Sequence, residues 1–480
     1  MRPYVVLRYV GMVLLLNAFF MLISAIVSFV NGMDTGFFPL LLSFVLTAVM
    51  GVFPLIFVSS DTTLLNKESY VIVVSAWVMS CIVGMLPYIL WGGEFNFVNA
   101  CFESVSGFTT TGGTVLQDVE ALPKGLLFWR SCTHLIGGAG IILFALALMP
   151  AMSRTKMSLT NLEISSLAKD NYRYRIQKTM RVVLVVYVFL ITTETMFLKI
   201  AGMNWFDAVN HSFSTVATGG FSTKNLSIAY YNNVWIEIII TVFMVLSGFH
   251  FGLLFTSITS KRNNIFRSEV ARYYFFSIVV ASLLLTVNLW ATDTYSLVSA
   301  VRYAFFQLAA VTSTTGFATV DTASWPAFSI LILIFFSLQC ACAGSTSGGI
   351  KSDRVLMLFK IFRTRILQMQ HPNAIVRVKM DNVPVNDDVV RSVSVFITLY
   401  LFVLFVGALM LTGMGIDLMT SFSAMVACLG NVGPGFGEVS SLGNFSDLPV
   451  AGKLICAFAM LLGRLELFGF LQIFLIKSWR

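Results

Sequence analysis

The sequence predicts an all-α membrane protein in which four parallel helix–pore-loop–helix repeats surround a central pore, preceded by two extra transmembrane helices. Three observations predict it. The chain is 57% hydrophobic and only 11% charged, against roughly 25% charge in an average soluble domain. Its apolar residues come in blocks long enough to cross a bilayer. A short helical segment followed by a glycine-rich turn recurs four times in register.

The blocks come first. Residues 9–30, 37–59, 70–92, 182–198 and 273–292 are nearly free of charge, and a spanning helix needs about 17–25 such residues. The first block follows Arg2 and Arg8 and outruns the roughly 7–15 residues of a signal-peptide core. It reads as a retained spanning helix. Lys and Arg cluster at Arg154–Arg181, Lys261–Arg272 and Lys351–Arg391, and again at Lys477 and Arg480. With a cytoplasmic N-terminus every cluster falls on the cytoplasmic side, which is the positive-inside bias. Topology thus accounts for the net charge of +8, and no nucleic-acid motif accompanies it. The seven cysteines include no C-x-x-C pair and read as reduced, packed thiols.

The basic clusters set the organisation. Residues 1–66 hold the N-terminal pair of helices. Pore repeats follow at 67–175, 176–265, 266–385 and 386–480. Outgoing spans are expected at about 70–92, 180–201, 271–291 and 390–412. Returning spans are expected at about 125–150, 233–258, 326–350 and 450–476. The segments between them are too short to cross, so they dip in and return. Internal similarity supports the division. Gly112, Gly220, Gly316 and Gly433 lie 108, 96 and 117 residues apart. Twelve residues before each stands Ala100, Ala208, Ala304 or Ser421, and six before stands Ser106, Ser214, Ala310 or Ala427. Fixed self-similarity of this kind marks a repeat.

The four turns read Thr109-Thr-Thr-Gly-Gly-Thr114, Ala217-Thr-Gly-Gly-Phe-Ser222, Ser313-Thr-Thr-Gly-Phe-Ala318 and Gly430-Asn-Val-Gly-Pro-Gly435. A dehydrated potassium ion needs several oxygens at once, and rings of backbone carbonyls supply them. Aligning successive carbonyls demands dihedrals that glycine adopts freely. Irregular backbone inside a bilayer persists only where protein buries it or it lines a water-filled cavity. Each short helix would aim its C-terminal end, with roughly half a negative charge, at a cation. The expected filter comprises Thr110, Thr111, Gly112 and Gly113, then Thr218, Gly219 and Gly220. Thr314, Thr315 and Gly316 come next, then Asn431, Val432 and Gly433. K+ itself is expected at Thr111, Gly112, Gly219, Gly220, Thr315, Gly316, Val432 and Gly433.

The pieces Thr109–Gly112, Gly219–Ser222, Thr314–Phe317 and Asn431–Gly435 resemble the four filter motifs of the Trk/Ktr/HKT superfamily of potassium transporters. The two extra helices and the run Gly433–Val439 are most similar to its bacterial TrkH/TrkG branch. The resemblance spans nearly the whole chain. It implies a potassium-uptake protein of the bacterial cytoplasmic (inner) membrane, with both termini cytoplasmic. K+ is then the transported ion, with no organic cofactor in this chain. It further implies a homodimer with one pore per subunit, bathed in membrane lipids, and a cytoplasmic nucleotide-binding regulatory ring of the TrkA type. No G-x-G-x-x-G follows a strand here, so that ring is a separate protein. Sodium-selective plant relatives carry Ser at the first-repeat glycine; Gly112 stands here and favours potassium. Asn431 and Val432 depart from the T-x-G pattern, which makes the ring chemically uneven and predicts weaker discrimination against sodium.

Cys340-Ala-Cys-Ala-Gly-Ser-Thr-Ser-Gly-Gly-Ile-Lys351 interrupts the returning span of repeat three. One helix from Pro326 to Arg365 would run about 60 Å against a hydrocarbon core of about 30 Å. The glycines and hydroxyl residues argue for a break. Related proteins carry an intramembrane gating loop here, so Gly344, Ser345, Thr346, Ser347, Gly348, Gly349 and Lys351 are expected gate residues; a static kink is the plainer reading. Arg464 and Glu466 lie inside the last apolar span. Arg464 is expected to join the gate by binding loop carbonyls. The alternative is a buried Arg–Glu pair, although residues i and i+2 do not share a helix face. An alternating-access symporter coupling potassium to sodium or protons is the competing function; it calls for broken helices around a midplane site. A membrane enzyme would need a nucleophile–base set or a metal cluster, and the sequence displays neither.

Overall fold

Long apolar runs without internal breakers become long helices, and the first two elements obey that rule. The structure, a computed structural model, describes residues 2–58, 66–148, 176–259, 265–373, 376–465 and 467–469. Helices α1 (Pro3–Val30) and α2 (Phe37–Phe57) form the N-terminal pair. They cross closely: a Cβ on Gly11 would stand 2.7 Å from the Gly51 carbonyl oxygen. Small residues permit such backbone approach in membranes. Helix α3 (Asn66–Gly84) runs on after a slight break into α4 (Leu86–Trp91). It is tied to α1 by the Arg2–Glu68 ion pair at 2.8 Å. Asn17 Nδ2 adds a bond to Ser80 Oγ at 2.8 Å.

The four repeats then appear in order. The half-length helices are α5 (Phe97–Phe108), α8 (Trp205–Val216), α12 (Leu297–Thr312) and α16 (Leu418–Gly430). Side-chain caps set the starts of α5, α8 and α16, because the first amides of a helix lack intrahelical acceptors. Asn96 accepts from the Asn99 amide, Asn204 from Asp207 and Asp417 from Thr420. The outgoing spans of repeats two to four are single helices: α7 (Ile176–Ile200), α11 (Glu269–Ala291) and α15 (Asp387–Thr412).

Returning spans behave differently, and here the sequence expectation needs correction. Only α6 (Lys124–Leu148) is one long helix among the described residues. The span expected at 233–258 is two helices, α9 (Val234–Ser247) and α10 (Phe251–Thr259), bent by 99°. Gly248, Phe249 and His250 form the corner. A Cβ on Gly248 would lie 2.1 Å from the Tyr274 hydroxyl, so only glycine lets α11 pack there. In repeat three, α13 (Ala327–Gln339) stops where the break was expected, and α14 (Ser352–Gln370) resumes after it. In repeat four, α17 (Val450–Arg464) ends at Arg464. Glu466 and residues 470–480 lie outside the described residues, as do most of the basic positions between Arg154 and Lys178.

One small element was not expected. Strands β1 (Lys379–Met380) and β2 (Val383–Pro384) pair antiparallel. Asp381 and Asn382, both at positive φ, make the two-residue turn such hairpins favour. The hairpin is fastened to α11. The Glu269 amide donates to Asp381 Oδ1 at 2.7 Å, and the Glu269 carboxylate binds both the Asp381 amide and the Lys360 ammonium of α14.

Candidate functional site

Each half-helix ends in a turn with the same backbone signature. Two residues before the anchor glycine, the chain adopts a left-handed conformation at Thr110, Thr218, Thr314 and Asn431, with φ of 53°, 57°, 62° and 54°. The anchors Gly112, Gly220, Gly316 and Gly433 also have positive φ. This conformation favours glycine, and asparagine tolerates it better than most residues. Asn431 thus sits in the fourth turn at a backbone position that asparagine accepts well.

Hydrogen bonding turns the amides away from the centre. The N–H groups of Thr111, Gly219, Thr315 and Val432 donate to the carbonyls of Ser106, Ser214, Ala310 and Ala427, all at 2.8–2.9 Å. Those acceptors are the small residues that recur six positions before each anchor. No backbone amide of the described residues donates to the Thr111, Gly219, Thr315 or Val432 carbonyl.

The four turns close on one another. A Cβ on Gly112 would stand 1.9 Å from the Gly219 oxygen, and one on Gly220 would stand 1.9 Å from the Thr315 oxygen. For Gly316 the neighbour is the Val432 oxygen at 2.1 Å, and for Gly433 it is the Thr111 oxygen at 2.4 Å. Each anchor packs against the preceding carbonyl of the next repeat, and the fourth returns to the first. All four anchors line one cavity that is open to the surface. Arg130 and Lys224 also line it; its lining includes no carboxylate among the described residues. The sequence-predicted filter residues are therefore brought together.

The interrupted span meets the opposite end of the turns. The Gly348 amide donates to Thr314 Oγ1 at 3.2 Å, and Thr346 Oγ1 donates to the Val216 carbonyl at 3.0 Å. These partners precede the anchors in sequence, whereas the cavity is lined by the anchors and by residues C-terminal to them. Residues 340–351 also lean on the corner of repeat two. The Phe251 amide donates to Gly344 O, and the Cys342 amide donates to Gly248 O. Cys340, Gly344, Gly349 and Lys351 all have positive φ. Arg464 donates to the carbonyls of Thr346 at 2.6 Å and Gly137 at 2.8 Å.

Sequence reasoning missed the residues that support the turns. Nine positions before the anchors stand Glu103, His211, Gln307 and Ala424. Glu103 accepts from the Val115 amide at 3.2 Å, His211 Nε2 lies 3.0 Å from Ser222 Oγ, and Gln307 Nε2 donates to Val320 O at 3.1 Å. Repeat four uses the neighbouring Ser423, bonded to both the amide and the carbonyl of Phe436. Three in-phase polar residues were the available signal, hidden because their side chains differ. A second histidine, His134, also supports the turns. His134 stacks on Phe221 at 4.1 Å and backs Gly219, where a Cβ would meet its ring at 2.4 Å.

Comparison with known proteins agrees with this architecture. The family model TrkH, described as cation transport protein, matches residues 40–478. The chain is 33% identical to the Trk system potassium uptake protein TrkH of Halomonas elongata, over 99% of both chains. It is 37% identical to the Trk system potassium uptake protein TrkG of Escherichia coli, over 88% of this chain and 87% of that one. The crystal structure of the potassium transporter TrkH from Vibrio parahaemolyticus superposes with a TM-score of 0.90 at 32% identity, covering 100% of both. A multi-pass helical membrane protein with four in-phase pore turns and this breadth of sequence match belongs to the TrkH family of cation transport proteins.

Proposed function

We propose that this protein takes up potassium across the bacterial cytoplasmic membrane through a filter of backbone carbonyls. The observation that carries the reading is the closed ring, in which the Thr111, Gly219, Thr315 and Val432 oxygens each abut the anchor glycine of a neighbouring turn. Four such oxygens replace water around a cation without any side-chain charge. Four helix C-termini end at the ring, which adds favourable potential for a cation. Similarity to relatives named as potassium uptake proteins supports potassium as the cargo.

Residues 340–351 act in this reading as the gate, latched by Arg464 and Thr346. Its four positive-φ residues and its small side chains suit a segment with a second arrangement. The subunit works as a homodimer, with one pore in each copy, under the control of a TrkA-type nucleotide-binding ring. The division into an N-terminal pair, 1–66, and four pore repeats at 67–175, 176–265, 266–385 and 386–480 belongs to the same proposal. An alternating-access symporter is less well supported, since the broken returning helices surround a closed ring whose outer cavity is lined by no carboxylate among the described residues. The test is growth of potassium-uptake-deficient cells at low external potassium, with and without the regulatory subunit. Growth that depends on this protein supports the reading, and absence of growth with the protein present in the membrane contradicts it.

A further inference from the structure

Arg130 is buried within the returning helix of repeat one, with 1% of its surface exposed. Its Nε and Nη2 bind Glu103 Oε1 at 2.8 Å and 2.7 Å. Glu103, fully buried on α5, in turn accepts from Thr114 Oγ1 at 3.0 Å and from the Val115 amide at 3.2 Å. Those two residues begin the outer limb of turn one. Arg130 Nη1 reaches across to the carbonyl of Ser222, in the outer limb of turn two, at 3.2 Å. The guanidinium also lies 4.0 Å from the ring of Phe221, whose other side carries His134. Four residues on, His134 backs Gly219. One face of α6 therefore holds two neighbouring turns through charged and aromatic contacts.

The other interfaces around the ring are held differently. Gln307 and Ser423 grip their own repeat's outer limb, and the side-chain tie between turns four and one, from Asn431 Nδ2 to Thr111 Oγ1, carries no charge. A guanidinium beside a cation path would repel the cargo, but its partner carboxylate lies at contact distance, so the pair adds no net charge. Planar, multidentate hydrogen bonding is what arginine supplies and lysine does not. Discrimination between cations of different radius depends on the number, spacing and stiffness of the coordinating carbonyls.

We infer that Arg130 is a positioning residue for ion selection: through Glu103 and the Ser222 carbonyl it fixes turn two against turn one. The inference rests on the proposed carbonyl filter. Its role is to set the K+/Na+ ratio rather than to permit conduction.

The test compares K+ and Na+ fluxes in liposomes containing the purified full-length protein. Arg130→Lys keeps the charge and loses the multidentate contact. The double variant Glu103→Gln/Arg130→Met removes both charges, so that neither is left buried alone. Gly112→Ser serves as the filter control. In both brace variants the K+/Na+ ratio is expected to fall by roughly two- to tenfold, the worth of about one net hydrogen bond, while K+ flux persists. A purely structural role would lower membrane yield or Tm and leave the ratio at its original value; that result overturns the inference. If the brace variants keep the ratio while Gly112→Ser lowers it, the brace fails and the filter stands. If Gly112→Ser also leaves the ratio unchanged, the filter reading fails, and the inference with it.

Discussion

Arg464 and Thr346 are joined on the side of the ring away from the cavity, the guanidinium donating to the carbonyl oxygen at 2.6 Å. A second bond from Arg464 to Gly137, at 2.8 Å, anchors the arginine to α6. The last helix, the first returning helix and the loop of repeat three are thereby linked through one side chain. A hydrogen bond from a charged donor is worth about 1.5–3 kcal/mol. Arg464→Ala is therefore expected to shift the loop's equilibrium by roughly tenfold or more toward a displaced arrangement. Shortening 344–349 acts in the same direction. K+ flux into liposomes should rise in both variants, and unchanged flux in both would rule out the gate.

Gly112→Ser is expected to let sodium compete with potassium. At φ 80° a side chain costs about 1–3 kcal/mol. The added Cβ also presses on the Gly219 oxygen, which is one of the proposed ligands. The ring must widen or tilt at that point. Competition of Na+ with K+ uptake, measured at fixed K+, should strengthen several-fold.

Asn431 ties the fourth turn to the first. Its Nδ2 donates to Thr111 Oγ1 and to the Met460 carbonyl, both at 2.9 Å. Asn431→Ala removes two buried bonds, each worth about 1 kcal/mol net, and puts alanine at positive φ. Asn431→Gly loses the same bonds without the backbone strain. Tm of the purified protein should fall in both variants and fall further in Asn431→Ala. Equal Tm for all three proteins would show that the tie is not structural.

Asp417 caps the fourth half-helix, and hydrogen bonds from Thr420 hold its carboxyl below its usual range. A depressed folded-state pKa contributes stability that is present above the unfolded value and is lost as pH falls through the folded one. The stabilising effect of Asp417 over Asp417→Ala should therefore be full near neutrality and vanish in the acid range below ordinary carboxylate titration. Parallel Tm profiles at every pH would contradict the assignment.

Much of this arrangement was legible in the residues. The outgoing spans, the half-helices and the turns arise from apolar length and from glycines in phase, both local properties. The break at 340–351 was legible because glycine and hydroxyl residues displaced an apolar run. The corner at 248–250 was not. A single glycine in an apolar run is also compatible with a continuous helix, and the close approach of Tyr274 to Gly248 shows only once α11 packs there. The Glu103–Arg130 pair escaped for a similar reason. Two charges 27 positions apart in sequence give no sign of meeting until α5 and α6 pack together. Arg464, inside the last apolar span, was expected to bind loop carbonyls, and it donates to the Thr346 carbonyl; an ionisable group is costly inside a membrane unless it is partnered.

The most direct test of the central claim is the location of a heavy permeant ion. Crystals or grids prepared in Rb+ or Tl+ should give ion density on the axis of the ring, coordinated by the carbonyls of Thr111, Gly219, Thr315 and Val432. Strong ion density elsewhere in the protein, with none at that ring, would contradict the carbonyl filter.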